Sequence, residues 1–277
     1  MSSISKDRFV EIKNYDPGRR CFADFSGIHA QATGNPYFKA PFTESIKPIF
    51  EASTEIRLRL DKDGSHCYCY LNTDEDRSVA QEWIDSQGPR VFLRDCLTCS
   101  IALGVNMTNV ETGERTDLGE LEYQAKTHTC EKSTQALADR MAAAIESLPL
   151  YKDTGLIAAV PARPGKTTAD LPTELAKRIA EAKGLTDLTP HFQYGGVREQ
   201  LKTLPLSERW DAWEGAQLSI CDEGKDLLDG NPVILIDDKY QSGVSANFVG
   251  MILQQAGASE ILGLYAVKTM RDTDNQG

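Results

Sequence analysis

Residue types able to do chemistry are densest in Val233-Ile-Leu-Ile-Asp-Asp-Lys-Tyr-Gln-Ser-Gly-Val-Ser245, late in the 277-residue chain. An apolar run ends in two adjacent carboxylates, Asp237 and Asp238, and a loop of small hydroxyl residues then enters a helix. Backbone N–H groups at a helix start, with the helix dipole behind them, attract a phosphate. Ser242 and Ser245 add hydroxyl donors, and Gly243 lets the backbone approach the anion. Lys239, Gln241 and Val244 complete this candidate phosphate cradle. Two carboxylates beside a phosphate would repel it unless they faced ribose hydroxyls or a hydrated Mg²⁺. The competing reading is a plain strand–turn–helix corner with two solvated aspartates. In either case carboxylates at a strand end are expected to be exposed. Upstream, Leu156-Ile-Ala-Ala-Val-Pro-Ala-Arg-Pro-Gly-Lys166 is another apolar run closed by a glycine and two cations, Arg163 and Lys166. Arg offers an anion a planar fork and Lys a point charge.

The elements that must position these residues follow from their surroundings. Short continuous apolar runs at 156–160, 232–236 and 260–267 predict strands buried on both faces. Helices are expected over 171–183, closed by Gly184, and over 246–256, stopped by Gly257. Strand–loop–helix alternation with buried strands predicts a parallel α/β sheet. Ligands of such sheets bind at the carboxyl ends of the strands. The first 150 residues read as mixed α+β. A hairpin is expected from Glu55–Leu60 and His66–Leu71 around Asp61-Lys-Asp-Gly64. A second is expected from Ser100–Met107 and Leu118–Ala125 around Glu111-Thr-Gly113. Apolar residues at Leu137, Met141, Ala144, Ile145 and Leu148 predict a helix capped by Ser133. The change of pattern after Pro149 places a domain boundary near Leu150, giving domains 1–150 and 151–277.

The stretch 233–245 resembles the phosphoribosyl-pyrophosphate motif of type I phosphoribosyltransferases: apolar strand, two acids, then a Thr-Thr-Gly-x-Thr-like loop. Here Ser242 and Ser245 stand for the later threonines and Gln241 for the first. Together with the 156–166 loop and Arg198-Glu-Gln-Leu-Lys-Thr-Leu-Pro-Leu-Ser-Glu-Arg-Trp210, the carboxyl-terminal half is similar to the ComF-type, competence-associated members. The resemblance covers about Gly155 to Met270. It implies binding of 5-phosphoribosyl-1-pyrophosphate or a related ribose phosphate with Mg²⁺ and transfer of the phosphoribosyl group to an acceptor that the residues do not name. Asp237 and Asp238 would hold the ribose hydroxyls and water-borne Mg²⁺, residues 239–245 the 5′-phosphate, and Arg163 with Lys166 the pyrophosphate. Arg198, Gln200, Lys202 and Arg209 would belong to a flap closing over the substrate. The family's asparagine after the flap arginine is Ala212 here, and a usually apolar position is Lys239. These departures keep a second implication open: ribose-phosphate or nucleotide binding without turnover, within a DNA-processing or defence assembly.

ComF-type proteins often carry an amino-terminal four-cysteine zinc ribbon. The matching residues are Cys67, Cys69, Cys96 and Cys99, of which only the second pair has Cys-x-x-Cys spacing. One-apart cysteines on a strand share a face, so Cys67 and Cys69 could meet Cys96 and Cys99 around Zn²⁺. The alternative is that all four are small buried apolar residues. The first 150 residues otherwise declare no activity; acceptor choice, self-association into a homo-oligomer and partner binding all remain open.

Composition narrows the classes. Net charge is −11, with 17 basic against 23 acidic residues up to Leu150 and 13 against 18 beyond it. Acidity spread over both halves argues against a general nucleic-acid coat, while a local basic groove remains compatible. Absence of a long apolar run and a polar amino terminus predict a cytoplasmic protein with no membrane span. Seven cysteines, an odd number, argue against a disulfide framework.

Overall fold

The computed structural model describes residues 3–14, 20–23, 27–64, 66–165, 170–201 and 204–270. In chain order the helices are α1 (Lys6–Lys13), α2 (Ile46–Thr54), α3 (Asp74–Gln87), α4 (Asp117–His128), α5 (Glu131–Ser147), α6 (Leu171–Lys183), α7 (Leu206–Gly215), α8 (Asp222–Leu228) and α9 (Val244–Gln255). The strands are β1 (Arg20–Phe22), β2 (Ile28–His29), β3 (Tyr37–Ala40), β4 (Arg59–Leu60), β5 (Cys67–Tyr70), β6 (Val91–Leu93), β7 (Cys99–Ala102), β8 (Met107–Asn109) and β9 (Glu114–Arg115). They continue as β10 (Leu156–Ala159), β11 (Thr186–Asp187), β12 (Phe192–Tyr194), β13 (Leu218–Ile220), β14 (Val233–Tyr240) and β15 (Ile261–Lys268). None of these helices is long and apolar enough to cross a membrane.

The protein has an α/β fold around a seven-stranded sheet of order β1-β6-β7-β15-β14-β10-β11. From β7 to β11 neighbouring strands run parallel, and β6 and β1 extend that edge antiparallel. Both faces are covered, which is why the central strands read as unbroken apolar runs. Ile157, Ala159, Ile234, Ile236 and Leu262 pack under Leu137 and Met141 of α5 and Leu175 and Ile179 of α6. Leu156, Ala158, Val233, Leu235 and Ile261 meet Phe248 and Leu253 of α9, Ile12 of α1, and Trp210 and Trp213 of α7. The predicted boundary near Leu150 therefore does not divide two sheets: β6 and β7 of the first half join β15 of the second. A separate four-stranded antiparallel sheet, β2-β3-β5-β4, buries Phe38, Ala40, Cys67 and Cys69 in the first of these cores.

Two local expectations change. Leu118–Ala125 is not a strand but part of α4. Thr116 caps it, its hydroxyl accepting from Gly119 N at 3.0 Å. Buried Leu118, Glu122 and Ala125 recur at a helical spacing. Gly119 is required there, because a Cβ would meet the Asn106 carbonyl oxygen at 1.9 Å. The first hairpin forms, with the shorter strands β4 and β5, because residues 46–54 make a helix that ends on Glu55 in left-handed conformation.

Candidate functional site

Strand β14 does not stop at Ile236. It pairs with β15 through Tyr240, so the two acids lie within the strand rather than beyond it. The expected exposure of both is overturned: Asp238 is 3% exposed and Asp237 half-buried. Lys126 of α4 forms an ion pair with Asp238. Beside it Glu122, also buried, meets Lys239 at 2.8 Å and Lys126 at 3.9 Å. The strand's carboxylate pair is thus neutralised by a helix that lies more than a hundred residues upstream. Lys239, expected in the phosphate cradle, is committed to Glu122.

The two acids divide one charge. Burial raises the Asp237 carboxyl well above the ordinary value, and the neighbouring Asp238 charge raises it further. Burial pushes Asp238 the same way, but the Lys126 ammonium overrides it and holds Asp238 low. Burial works against Lys126, yet Asp238, Asp237 and Glu122 keep its ammonium above the usual value. A proton on the pair therefore favours Asp237, while Asp238 keeps its charge beside Lys126. Asp237 Oδ1 accepts the Asp238 N–H at 2.9 Å. Lys126 already pairs with the Asp238 carboxylate, so a hydrated Mg²⁺ at these two acids would compete with its ammonium.

The asymmetry has a measurable pH signature. Above the unfolded aspartate value of about 3.9, the unfolded state releases a proton that folded Asp237 keeps, so stability falls as pH rises toward the raised folded value. The slope is about 1.4 kcal/mol per pH unit while that difference persists. Asp237→Asn removes it. The variant should match wild type near pH 4 and become progressively more stable than wild type toward neutrality. Urea unfolding at a series of pH values checks this; a constant difference would mean that Asp237 is ionised in the folded protein.

The expected glycine corner forms at the start of α9. Gly243, at φ 79°, caps α9, a left-handed conformation that favours glycine. Ser242 is buried, and Gln241 is exposed. Ser245 Oγ accepts from Trp213 Nε1 at 3.2 Å. The other face of this assembly is Arg198, whose guanidinium lies 4.1 Å from the Trp213 ring centre and donates to the Pro161 carbonyl at 3.3 Å. Tyr194 donates to the Ala162 carbonyl at 2.8 Å, fixing the same loop. Pro161, Arg198, Trp213 and Ser245 thus join the loop after β10, the segment before α7 and the start of α9. Burial lowers the Arg198 value, opposed by Tyr194, Asp170 and Asp237, with Arg163 adding to the depression. Guanidinium stays charged all the same. Its Nε is buried with no hydrogen-bond partner among the described residues.

Other expected residues fall elsewhere. Arg163 stands exposed on the loop after β10, within electrostatic reach of Arg198. Arg209 turns away, its Nε donating to the Leu204 carbonyl at 3.1 Å. Gln200 is exposed on the segment before α7. Lys166 and Lys202 lie outside the described residues. Trp213 and Tyr194 had no local signature, nor did Lys126, whose ion pair crosses 112 residues.

The four cysteines do not assemble. Cys67 and Cys69 do share a face of β5, but that face is core. Cys67 Sγ lies 3.4 Å from the Phe42 carbonyl and Cys99 Sγ 3.6 Å from that of Ser45. Burial pushes the Cys67 and Cys99 thiols up to about 12 and Cys69 to about 11. Among the described residues, the thiols of 67, 69, 96 and 99 form no ligand group; the clusters with ligand spacing are His191, Cys221, Glu223 and Asp61, Asp63, His66. The expected zinc site is thus corrected to separately buried cysteines.

A cavity of about 460 Å³ bounded by Ser219, Cys221, Lys225 and Gln255 contains none of the motif residues. Lys225, its one lining cation, pairs with Asp222 at 2.8 Å, so it offers an anion less than the Arg198 crevice does.

The sequence matches no protein-family model and no curated protein. Among solved structures, the chain is similar to a glutamine phosphoribosylpyrophosphate amidotransferase from B. subtilis complexed with ADP and GMP, at 14% identity and a TM-score of 0.37. It is similar as well to a structure described as the allosteric regulatory enzyme of purine biosynthesis, at 12% identity and a TM-score of 0.36. In each case 64% of this chain is covered, but only 36% and 35% of the other. At those values the likeness carries no argument about function.

Proposed function

We propose that the crevice at the carboxyl ends of β10 and β14 binds the anionic groups of 5-phosphoribosyl-1-pyrophosphate or a related ribose phosphate, in a chain of phosphoribosyltransferase type. Arg198 carries the reading: a largely desolvated guanidinium with one unpaired N–H, held between the Pro161 carbonyl and the indole that also binds Ser245. Residues 241–245 receive the 5′-phosphate at the α9 start, where backbone N–H groups and the helix dipole favour an anion. Arg163, on the facing loop, takes a second phosphoryl group. Asp237, carrying its proton, offers a ribose hydroxyl both a donor and an acceptor. Asp238 stays with Lys126 and holds the strand end in place.

A second reading, transfer of the phosphoribosyl group to an acceptor, is favoured by Arg163 lying within electrostatic reach of Arg198. Guanidinium groups that both reach a departing pyrophosphate would stabilise the charge building on it. Calorimetric titration with phosphoribosyl pyrophosphate, in Mg²⁺ and then in chelator, tests the first reading. Saturable binding is expected, and its loss in chelator would show that the ligand enters with Mg²⁺. Lack of heat in both conditions would sink the ligand assignment. Release of pyrophosphate only when a nucleobase or amine is added would establish transfer.

A further inference from the structure

The outward face of the four-stranded sheet is unlike the rest of this acidic protein. Its inward positions, Phe38, Ala40, Cys67 and Cys69, are core. The alternating outward positions are Tyr37 and Lys39 on β3 and Tyr68 and Tyr70 on β5, flanked by His29 on β2 and Arg59 on β4. Register sets them in two cross-strand rows, His29–Tyr37–Tyr70 and Lys39–Tyr68–Arg59. The rings touch in sequence: His29 to Tyr37 at 5.2 Å, Tyr37 to Tyr70 at 6.4 Å and Tyr70 to Tyr68 at 5.7 Å between centroids. Tyr70 is 48% exposed, and His29 and Arg59 are exposed beside it. None of these positions carries a carboxylate, in a chain whose net charge is −11. The hairpin's acids, Asp61 and Asp63, sit in its turn, where Asp61 pairs with His66 Nδ1 at 2.6 Å.

We propose that this face binds single-stranded nucleic acid, bases stacking on the tyrosine row and phosphates meeting Lys39 and Arg59. Cross-strand pairing would account for two neighbouring tyrosines, but not for a continuous aromatic row bounded by cations on an otherwise acidic surface. Aromatic rings on an antiparallel sheet offer any base a π-face, and cations beside them track the backbone. None of its residues belongs to the ribose-phosphate crevice, and the two readings stand or fall separately.

Fluorescence anisotropy with labelled oligo(dU) and oligo(U) of about 12 nucleotides, a length within the usual site sizes, tests the proposal. Wild type should bind at low salt and weaken steeply as salt rises. Tyr37→Ala and Tyr70→Ala should each weaken binding by about 5- to 150-fold, whereas Tyr70→Phe keeps it. Lys39→Ala and Arg59→Ala should each flatten the log–log salt slope by about 0.7. Circular dichroism and thermal melting confirm that each variant is folded. A preference for one oligonucleotide over the other supports the proposal and assigns the sugar. Failure of wild type to bind either at low salt would overturn it, as would unchanged affinity in folded Tyr37→Ala/Tyr70→Ala, or tighter binding of duplex than of single strand.

Discussion

Replacing Lys126 with alanine is expected to cost about 2–3 kcal/mol of folding stability. Removing one partner of a buried ion pair typically costs about 3–5 kcal/mol, because the other charge is left uncompensated. The Lys126 side chain is 40% exposed, so solvent screening reduces the figure. What remains is large because Asp238 is almost sealed from water and Asp237 stands next to it. Urea denaturation at neutral pH measures the loss. Adding Asp238→Asn to Lys126→Ala should recover most of it, since the stranded charge is gone. The effect also has a pH direction. Asp238 has a lowered folded value, so the stability it contributes is present above about pH 3.9 and is lost as pH falls through that folded value. Wild type and Lys126→Ala should therefore converge in acid. Equal stability of the two at neutral pH would show that water, not Lys126, compensates Asp238.

Arg198→Ala should reduce affinity for phosphoribosyl pyrophosphate by about 10- to 100-fold, the range for losing a charge-assisted hydrogen bond. Arg198→Lys should not restore it. An ammonium preserves the charge but cannot both stack on Trp213 and donate in the plane toward Pro161 and a ligand. Calorimetry on both variants decides the point, with thermal melting to confirm that loss of the Trp213 stack leaves the fold intact. Full affinity in Arg198→Lys would mean that only a point charge is needed there. Full affinity in Arg198→Ala would remove this residue from the site and with it the main support for the crevice.

The readable parts of this protein are those governed by neighbours in the chain. Burial of β10, β14 and β15 on both faces forces unbroken apolar runs, and these mark the sheet directly. Gly184 and Gly243, both left-handed, mark a helix end and a helix start. The corner at 241–245 was legible for the same reason: Gly243 serves local backbone geometry. Reading failed where local patterns were ambiguous. In α4 the sequence around Leu118 alternates well enough to pass for a strand, and only the Thr116 cap and the contact of Gly119 with Asn106 settle it as a helix.

By itself, then, the sequence determined the parallel α/β core, the strand–glycine–helix corner and the presence of two acids and several cations near it. Tertiary structure alone decided which charges face one another. Lys126 and Glu122 come from a helix of the first half, and they pair with Asp238 and Lys239, two residues expected to await a ligand. The four cysteines, whose spacing hinted at a metal, were distributed by packing between two cores, Cys67, Cys69 and Cys99 in one and Cys96 in the other. An aromatic row emerged only when β2, β3 and β5 were set in register. Apolar burial and backbone geometry are dictated at short range along the chain. Coulombic partners and shared surfaces depend on distances in space, and those exist only once the chain has folded.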